Sequence, residues 1–185
     1  MTIRHLDRLL QPRSVAVIGA SNRPGSVGAT VWRNLRAGGF AGPLHAINSR
    51  NQTLDGQPVL KAVSELPQPC DLALLCTPPA TVPGLIGELA AAGTRAVIVT
   101  TAGLSAAQKQ AALDNARPHL LRILGPNCLG LLVPGMKLNA SFAQAQALPG
   151  RLAFVSQSGA LATALLDWAN SRAIGFSHFV TLGDS

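Results

Sequence analysis

The chain has 185 residues, 48% hydrophobic and only 12% charged, which is enough apolar material for a buried core and leaves no polar low-complexity tract to suggest disorder. Its net charge is +7, yet aromatics make up 4%, tyrosine is absent, the arginines are scattered and no nucleic-acid motif appears, so a small anionic ligand is expected rather than nucleic acid. No apolar run is long enough to span a bilayer, no signal-peptide core precedes Arg13, and Cys70, Cys76 and Cys128 lack both zinc spacing and an even count, so a soluble protein of the reducing cytoplasm is expected.

Val15-Ala16-Val17-Ile18 is an apolar run entering the turn Gly19-Ala20-Ser21-Asn22-Arg23-Pro24-Gly25-Ser26, after which Val27, Val31 and Leu35 recur at helical spacing and Gly38-Gly39 closes the segment. Strand, tight loop and helix in that order suit a phosphate. The first N–H groups of a helix have no partner and carry about half a positive charge, and a phosphate satisfies both. Glycines 19, 25 and 28 let backbone approach a ligand and let the helix approach the strand. The same residues also fit an ordinary strand-to-helix connection that binds nothing, since a lone glycine pattern is weak evidence.

The turn departs from the dinucleotide fingerprint G-x-G-x-x-G: Ser21 stands at the second glycine, and the loop is longer before Gly25 and Gly28. The next strand, Leu44-His45-Ala46-Ile47-Asn48, leads into Ser49 and Arg50, with no carboxylate until Asp55. An NAD site needs Asp or Glu there for the ribose hydroxyl, so a phosphorylated ribose fits better, and the two departures favour coenzyme A or NADP over NAD. Arg50 reads equally well as a solvated surface arginine.

A loop with Gly56 and Pro58 then leads to a short helical piece over 61–66, ended by Pro67 and Pro69. Residues 71–76 read as a buried strand stopped by Thr77-Pro78-Pro79, and Val82, Leu85, Ile86 and Leu89 as the stripe of a helix that Gly93 ends. A strand over 95–100, the turn Thr101-Ala102-Gly103, a helix to about Arg117 and a strand over 120–124 follow. Continuous apolar strands separated by helices imply an α/β domain, a doubly wound parallel sheet covered on both faces, over residues 1–124. In such sheets the ligand sits beyond the carboxyl ends of the strands, which brings 19–26, Asn48 to Arg50, Thr77-Pro78 and Thr100-Thr101 around one crevice.

The pattern changes at Gly125-Pro126-Asn127-Cys128-Leu129-Gly130, which opens a Pro- and Gly-rich passage through Val133-Pro134-Gly135 to Leu148-Pro149-Gly150. It is too long for an internal loop of a compact sheet, so 125–150 is expected to be a linker. Strand, turn and helix then recur: 151–155, then Ser156-Gln157-Ser158-Gly159, then Leu161, Leu165, Trp168 and Ala169, with a further strand from Phe176 to Leu182. Two strands and one helix cannot bury a sheet on both faces, so 151–185 is expected to be the truncated start of a second domain. Its unfinished edge suggests a homo-oligomer.

Gly19-Ala20-Ser21 with Gly25 and Gly28, Gly125-Pro126-Asn127-Cys128-Leu129-Gly130, and Phe154-Val155-Ser156-Gln157-Ser158-Gly159 resemble, in order and spacing, the α subunit of succinyl-CoA synthetase. They are more similar still to the α-type portion of ADP-forming acyl-CoA synthetases and of bacterial protein acetyltransferases built on the same domains. The resemblance runs from about residue 10 to 185. It implies a CoA-binding Rossmann-like domain followed by the start of a flavodoxin-like ligase domain, with coenzyme A as cofactor. By the same resemblance the loop over 21–26 holds the CoA nucleotide phosphates, Arg50 reaches a CoA phosphate, and Ser156, Ser158 and Gly159 receive the phosphate of a phosphohistidine. The family reaction joins a carboxylic acid to CoA through an acyl phosphate and a phosphorylated histidine, coupled to a nucleoside triphosphate.

None of His5, His45, His119 or His178 sits in that histidine motif, and neither an ATP-grasp segment nor an acetyltransferase domain is present. The chain is therefore expected to bind CoA or acyl-CoA and to need the remaining ligase, ATP-grasp or acetyltransferase domains for turnover, with no catalytic residue of its own. Cys128 is read as a loop-packing cysteine, and Ser156 and Ser158 lack the G-x-S-x-G context of a nucleophile. Ala102 departs from the Glu that the succinate enzymes tend to carry, which weakens succinate as the acid. Two alternatives remain: a stand-alone regulatory CoA-binding module, and an NADP oxidoreductase domain, for which no catalytic Lys, Tyr or His constellation is seen.

Overall fold

All four residues of the apolar run Val15–Ile18 are buried, because the strand they form is covered on both faces. The computed structural model describes residues 3–50 and 53–184, leaving residues 1, 2, 51, 52 and 185 outside the description. In chain order the elements are α1 (Leu6–Leu10), β1 (Val15–Ile18), α2 (Val27–Gly38), β2 (Leu44–Ile47), the short pair β3 (Thr53–Leu54) and β4 (Gln57–Pro58), then β5 (Leu72–Leu75), α3 (Val82–Ala92), β6 (Ala96–Val99), α4 (Ala106–Ala116) and β7 (Arg122–Leu124). There follow β8 (Gly130–Val133), β9 (Leu138–Ser141), β10 (Pro149–Ser156), α5 (Gly159–Asn170) and β11 (Phe176–Thr181).

The first sheet is wholly parallel and runs β2-β1-β5-β6-β7. Its order reverses at β1: the chain steps outward to β2, then returns to place β5 on the other side. The two faces bury different helices. Val15 and Val17 share a core with Val31, Trp32 and Leu35 of α2. Ala16 and Ile18 share one with Ile86 and Leu89 of α3 and Ala112 and Ala116 of α4. Serines start three of the helices: Ser26 accepts from Ala29 N, Ser158 from Leu161 N, and Ser105 forms a reciprocal capping box with Gln108.

The stretch 125–150, expected to be an irregular linker, instead carries two paired strands. β8 and β9 form an antiparallel hairpin, and with β10 and β11 they build a second, mixed sheet of order β10-β11-β8-β9. Both hairpin strands are buried throughout, the polar Asn139 and Ser141 of β9 included, and only Pro134 and Gly135 of the stretch's Pro and Gly residues fall in the turn between them. The short strands β3 and β4 and the five-residue α1 also carry too little periodicity to be read from sequence. The helical piece over 61–66 is a single 3-10 turn, Val63–Glu65.

The second sheet packs on the other side of α2. Leu131, Val133, Leu138, Ala140 and Val180 join the α2 core, while Leu132, Phe176 and Phe179 face Ala162, Leu166 and Ala169 of α5. The result is five layers: α3 and α4, first sheet, α2, second sheet, α5. Asn34 in the middle of α2 donates through Nδ2 to both Ser141 O (2.9 Å) and Ala143 O (2.8 Å). At the helix end a Cβ on Gly38 would lie 2.7 Å from Lys137 O, so only glycine permits this approach. At the far edge β10 pairs with β11, and Leu152 and Val155 are 56% and 58% exposed.

Candidate functional site

The turn after β1 is built by its own side chains. Ser21 Oγ accepts from Arg23 N (3.0 Å), and Ser26 Oγ donates to Arg23 O (2.9 Å) while capping α2. A Cβ on Gly28 would lie 1.9 Å from Gly19 O, so the first turn of α2 sits directly on the end of β1. Asn22, Arg23, Pro24 and Gly25 are exposed above it, with Gly25 at φ +75°.

Asn48 fixes the end of β2 to this turn. Its Nδ2 donates to Ala20 O (2.7 Å), and its Oδ1 accepts from Arg50 N (2.9 Å), which directs the backbone toward Arg50. The Asn48 side chain therefore shapes the site rather than presenting itself to a ligand. Arg23 and Arg50 are exposed, and among the described residues neither guanidinium has a hydrogen-bond or ion-pair partner.

The crest continues across the sheet through threonines. Thr77 Oγ1 accepts from Thr81 Oγ1 (2.9 Å), Pro78 precedes the 3-10 turn leading to α3, and Thr101 Oγ1 donates to Thr77 O (2.7 Å). Thr100 is buried, and its hydroxyl donates to Leu75 O (2.8 Å), which joins neighbouring strands. Thr101 O in turn accepts from Asn127 N (3.0 Å). Two runs of hydrogen bonds, one through Arg50, Asn48 and Ala20 and one through Thr77, Thr101 and Asn127, lie side by side where Gly19 packs against Cys76 and Thr77.

Asn127 opens onto a second feature, a cavity of about 490 Å³ at the start of α5. Ser158 caps that helix, Ser156 Oγ accepts from Ser158 N (3.1 Å), and Gly159 opens the first turn. Leu129 and Phe142 form an apolar wall, and Asp184 stands at the rim. Asp184 was not singled out from sequence, and neither was Lys109. Hydrogen bonds from Asn127 and Lys109 hold the Asp184 carboxyl below its ordinary range. Cys128 also lines the cavity, but burial pushes its thiol up to about 12 and Sγ donates to Val99 O (3.4 Å), so it is a packed thiol rather than a thiolate. All three cysteines are free. Among the described residues no group of three His, Cys, Asp or Glu side chains could hold a metal ion, and no helix is long and apolar enough to cross a membrane.

A parallel sheet whose order reverses at β1, with a glycine turn feeding a capped helix at that switch point, places the protein among the open α/β folds, whose ligands sit beyond the carboxyl ends of the strands. Comparison with known proteins narrows this. Residues 13–134 match the CoA binding domain family, and residues 149–185 match the succinyl-CoA ligase like flavodoxin domain. The chain belongs to the CoA-binding domain family, and coenzyme A is its cofactor.

Similar proteins include the ADP-forming acetate–CoA ligase I of Archaeoglobus fulgidus, 35% identical over 97% of this chain and 27% of its own length. The α subunit of the corresponding Pyrococcus furiosus enzyme is 36% identical over 97% of this chain and 41% of its own. Among solved structures, an acetyl-coenzyme A synthetase 1 from Ca. Korarchaeum cryptofilum, in complex with phosphate and ADP, superposes with a TM-score of 0.92 at 35% identity, covering 96% of this chain and 39% of that one. The chain thus spans well under half the length of these relatives.

Proposed function

We propose that this chain is the CoA-binding portion of an ADP-forming carboxylic acid–CoA ligase and needs further ligase-type domains, in the same polypeptide or a partner, for turnover. One observation carries the reading: an exposed turn at the N-terminus of α2 is flanked by Arg23 and Arg50, neither of which has a partner among the described residues. A ligand with several phosphates satisfies both the unpaired helix N–H groups and the two cations. In this reading the turn 21–26 holds the CoA diphosphate, Arg50 the phosphate on its ribose, and the line of Thr77 and Thr101 leads the rest of the molecule toward the cavity. CoA supplies the thiol that is acylated. Ser156, Ser158 and Gly159 at the start of α5 receive a phosphoryl group, which the helix N-terminus favours electrostatically.

In the division of labour, the first sheet with its helices, to about residue 124, holds CoA, and the stretch from 151 begins the ligase part, with the β8–β9 hairpin between them contributing two strands to the second sheet. The names of the two ligases, which specify acetate, support a carboxylic acid as co-substrate. The open edge at β10 is where contact with ligase-type sequence or a second copy belongs. A cytoplasmic setting accords with three unpaired thiols.

Thermal unfolding with CoA, dephospho-CoA, NADP and NAD tests the reading. CoA at about a hundred times its dissociation constant is expected to add about 2.7 kcal/mol. Dephospho-CoA should stabilise less, and Arg50→Ala should reduce the response to CoA and remove the difference between the two. A response to NADP alone would overturn the proposal in favour of a dehydrogenase domain.

A further inference from the structure

The pairing of β1 with β2 ends where Gly19 N donates to Ile47 O (2.8 Å). Beyond that rung the chain leaves β1 into the turn 21–26 and leaves β2 toward Arg50. Among the described residues one side chain bonds across this gap, that of the half-buried Asn48. Its Nδ2 donates to the carbonyl of the fully buried Ala20 (2.7 Å), the residue that leads into the turn, while its Oδ1 accepts from Arg50 N (2.9 Å). Reversing the amide would set oxygen against oxygen and N–H against N–H, so the two partners together hold it in one orientation. Ser21 fixes Arg23 by the same local device, its hydroxyl accepting from the backbone two residues on (3.0 Å). Asn48 does this for Arg50 and also ties it to the neighbouring element.

CoA carries its diphosphate and its ribose phosphate on a single nucleotide, so the covalent frame of the ribose confines the separation of the two anionic groups. A site that reads both gains from the second only when its cation already stands at that separation, because a guanidinium on an untethered loop spends part of the binding free energy on becoming ordered. Both polar ends of the Asn48 side chain are engaged by the protein, which leaves it to act through Arg50 rather than on the ligand. We propose that Asn48 is a positioning residue that sets Arg50 in register with the β1 turn, and so gives the chain its preference for CoA over the same molecule without the ribose phosphate. This rests on the reading that the turn 21–26 holds the diphosphate and Arg50 the ribose phosphate.

The test is calorimetric titration of the chain and its variants with CoA and dephospho-CoA. The unaltered chain is expected to bind CoA about tenfold more tightly than dephospho-CoA, and Arg50→Ala to bring that ratio close to one. Asn48→Ala should reduce the ratio to about threefold or less, and should leave it unchanged when added to Arg50→Ala, since the two residues act as a unit. Asn48→Ser keeps an acceptor for Arg50 N, as Ser21 does for Arg23 N, but its side chain is too short to reach Ala20 O. It should therefore match Asn48→Ala, and it keeps the test open should that variant fail to fold. A merely structural role weakens both ligands alike and leaves their ratio where it was. A ratio retained by either Asn48 variant thus overturns the positioning role while leaving CoA binding intact. A ratio close to one in the unaltered chain overturns the placement of the ribose phosphate on Arg50 and this inference with it, and failure of both ligands to bind overturns the CoA reading itself.

Discussion

Asp71, just before β5, gathers the N-terminal segment onto the sheet. Its carboxylate accepts from Arg8 (2.6 Å), from the Arg13 backbone (3.0 Å) and from the Arg13 guanidinium (3.1 Å). Burial alone would raise its pKa, but the Arg13 hydrogen bonds and the charge of Arg8 outweigh burial and hold the group below the ordinary carboxylate range. A depressed native pKa contributes stability that is fully present above the unfolded value of about 3.9 and is lost as pH falls through the native one. Asp71→Asn is therefore expected to lower the unfolding free energy at pH 7 by about 1–3 kcal/mol and to flatten its decline below pH 4, as read from urea unfolding across a pH series. Asp71 and Arg8 lie 63 residues apart, and Lys109 and Asp184 lie 75 apart. No local spacing reveals either pair, which is why the rim of the cavity is not legible in the sequence while the turn at 19–26, whose internal Ser21 and Ser26 bonds are local, is.

Among the elements, a helical period or an unbroken apolar run is legible, and β9, an apolar strand interrupted by polar residues, is not. Val27, Val31 and Leu35 announce α2, and four-residue apolar runs bounded by Gly and Pro announce β1, β5 and β6. In the hairpin, β8 carries three apolar residues after Gly130 but β9 is Leu-Asn-Ala-Ser, and with Pro134 and Gly135 between them the pair reads as a connection. Its role becomes visible only through Asn34, a polar residue in the middle of an otherwise apolar helix stripe. Asn34→Ala leaves the Ser141 and Ala143 carbonyls buried without that donor, which should cost about 1–3 kcal/mol. Hydrogen exchange would report it as faster exchange of the β9 amides, with those of β5 and β6 less affected. Uniform acceleration across both sheets would instead mean that the two open only together.

At the scale of the whole molecule, the serial arrangement of two strand–turn–helix units predicts separable lobes, whereas the structure inserts one helix between two sheets. α2 begins at the turn after β1, and its flank is covered by β9. A ligand at that turn thus bears on an element that both sheets need. The match to the CoA binding domain family stops at residue 134, inside the turn of the hairpin, so it includes β8 and omits β9. A chain ended at 134 would strip Leu138 and Ala140 from the α2 core and remove both acceptors of Asn34. Such a fragment is expected to melt at a lower temperature than the full chain, or to aggregate on expression, as followed by circular dichroism and light scattering. The segment matched by the family is thus shorter than the segment that covers α2, and a transplant of the β1 turn with α2 into another protein should take residues 138–143 with it.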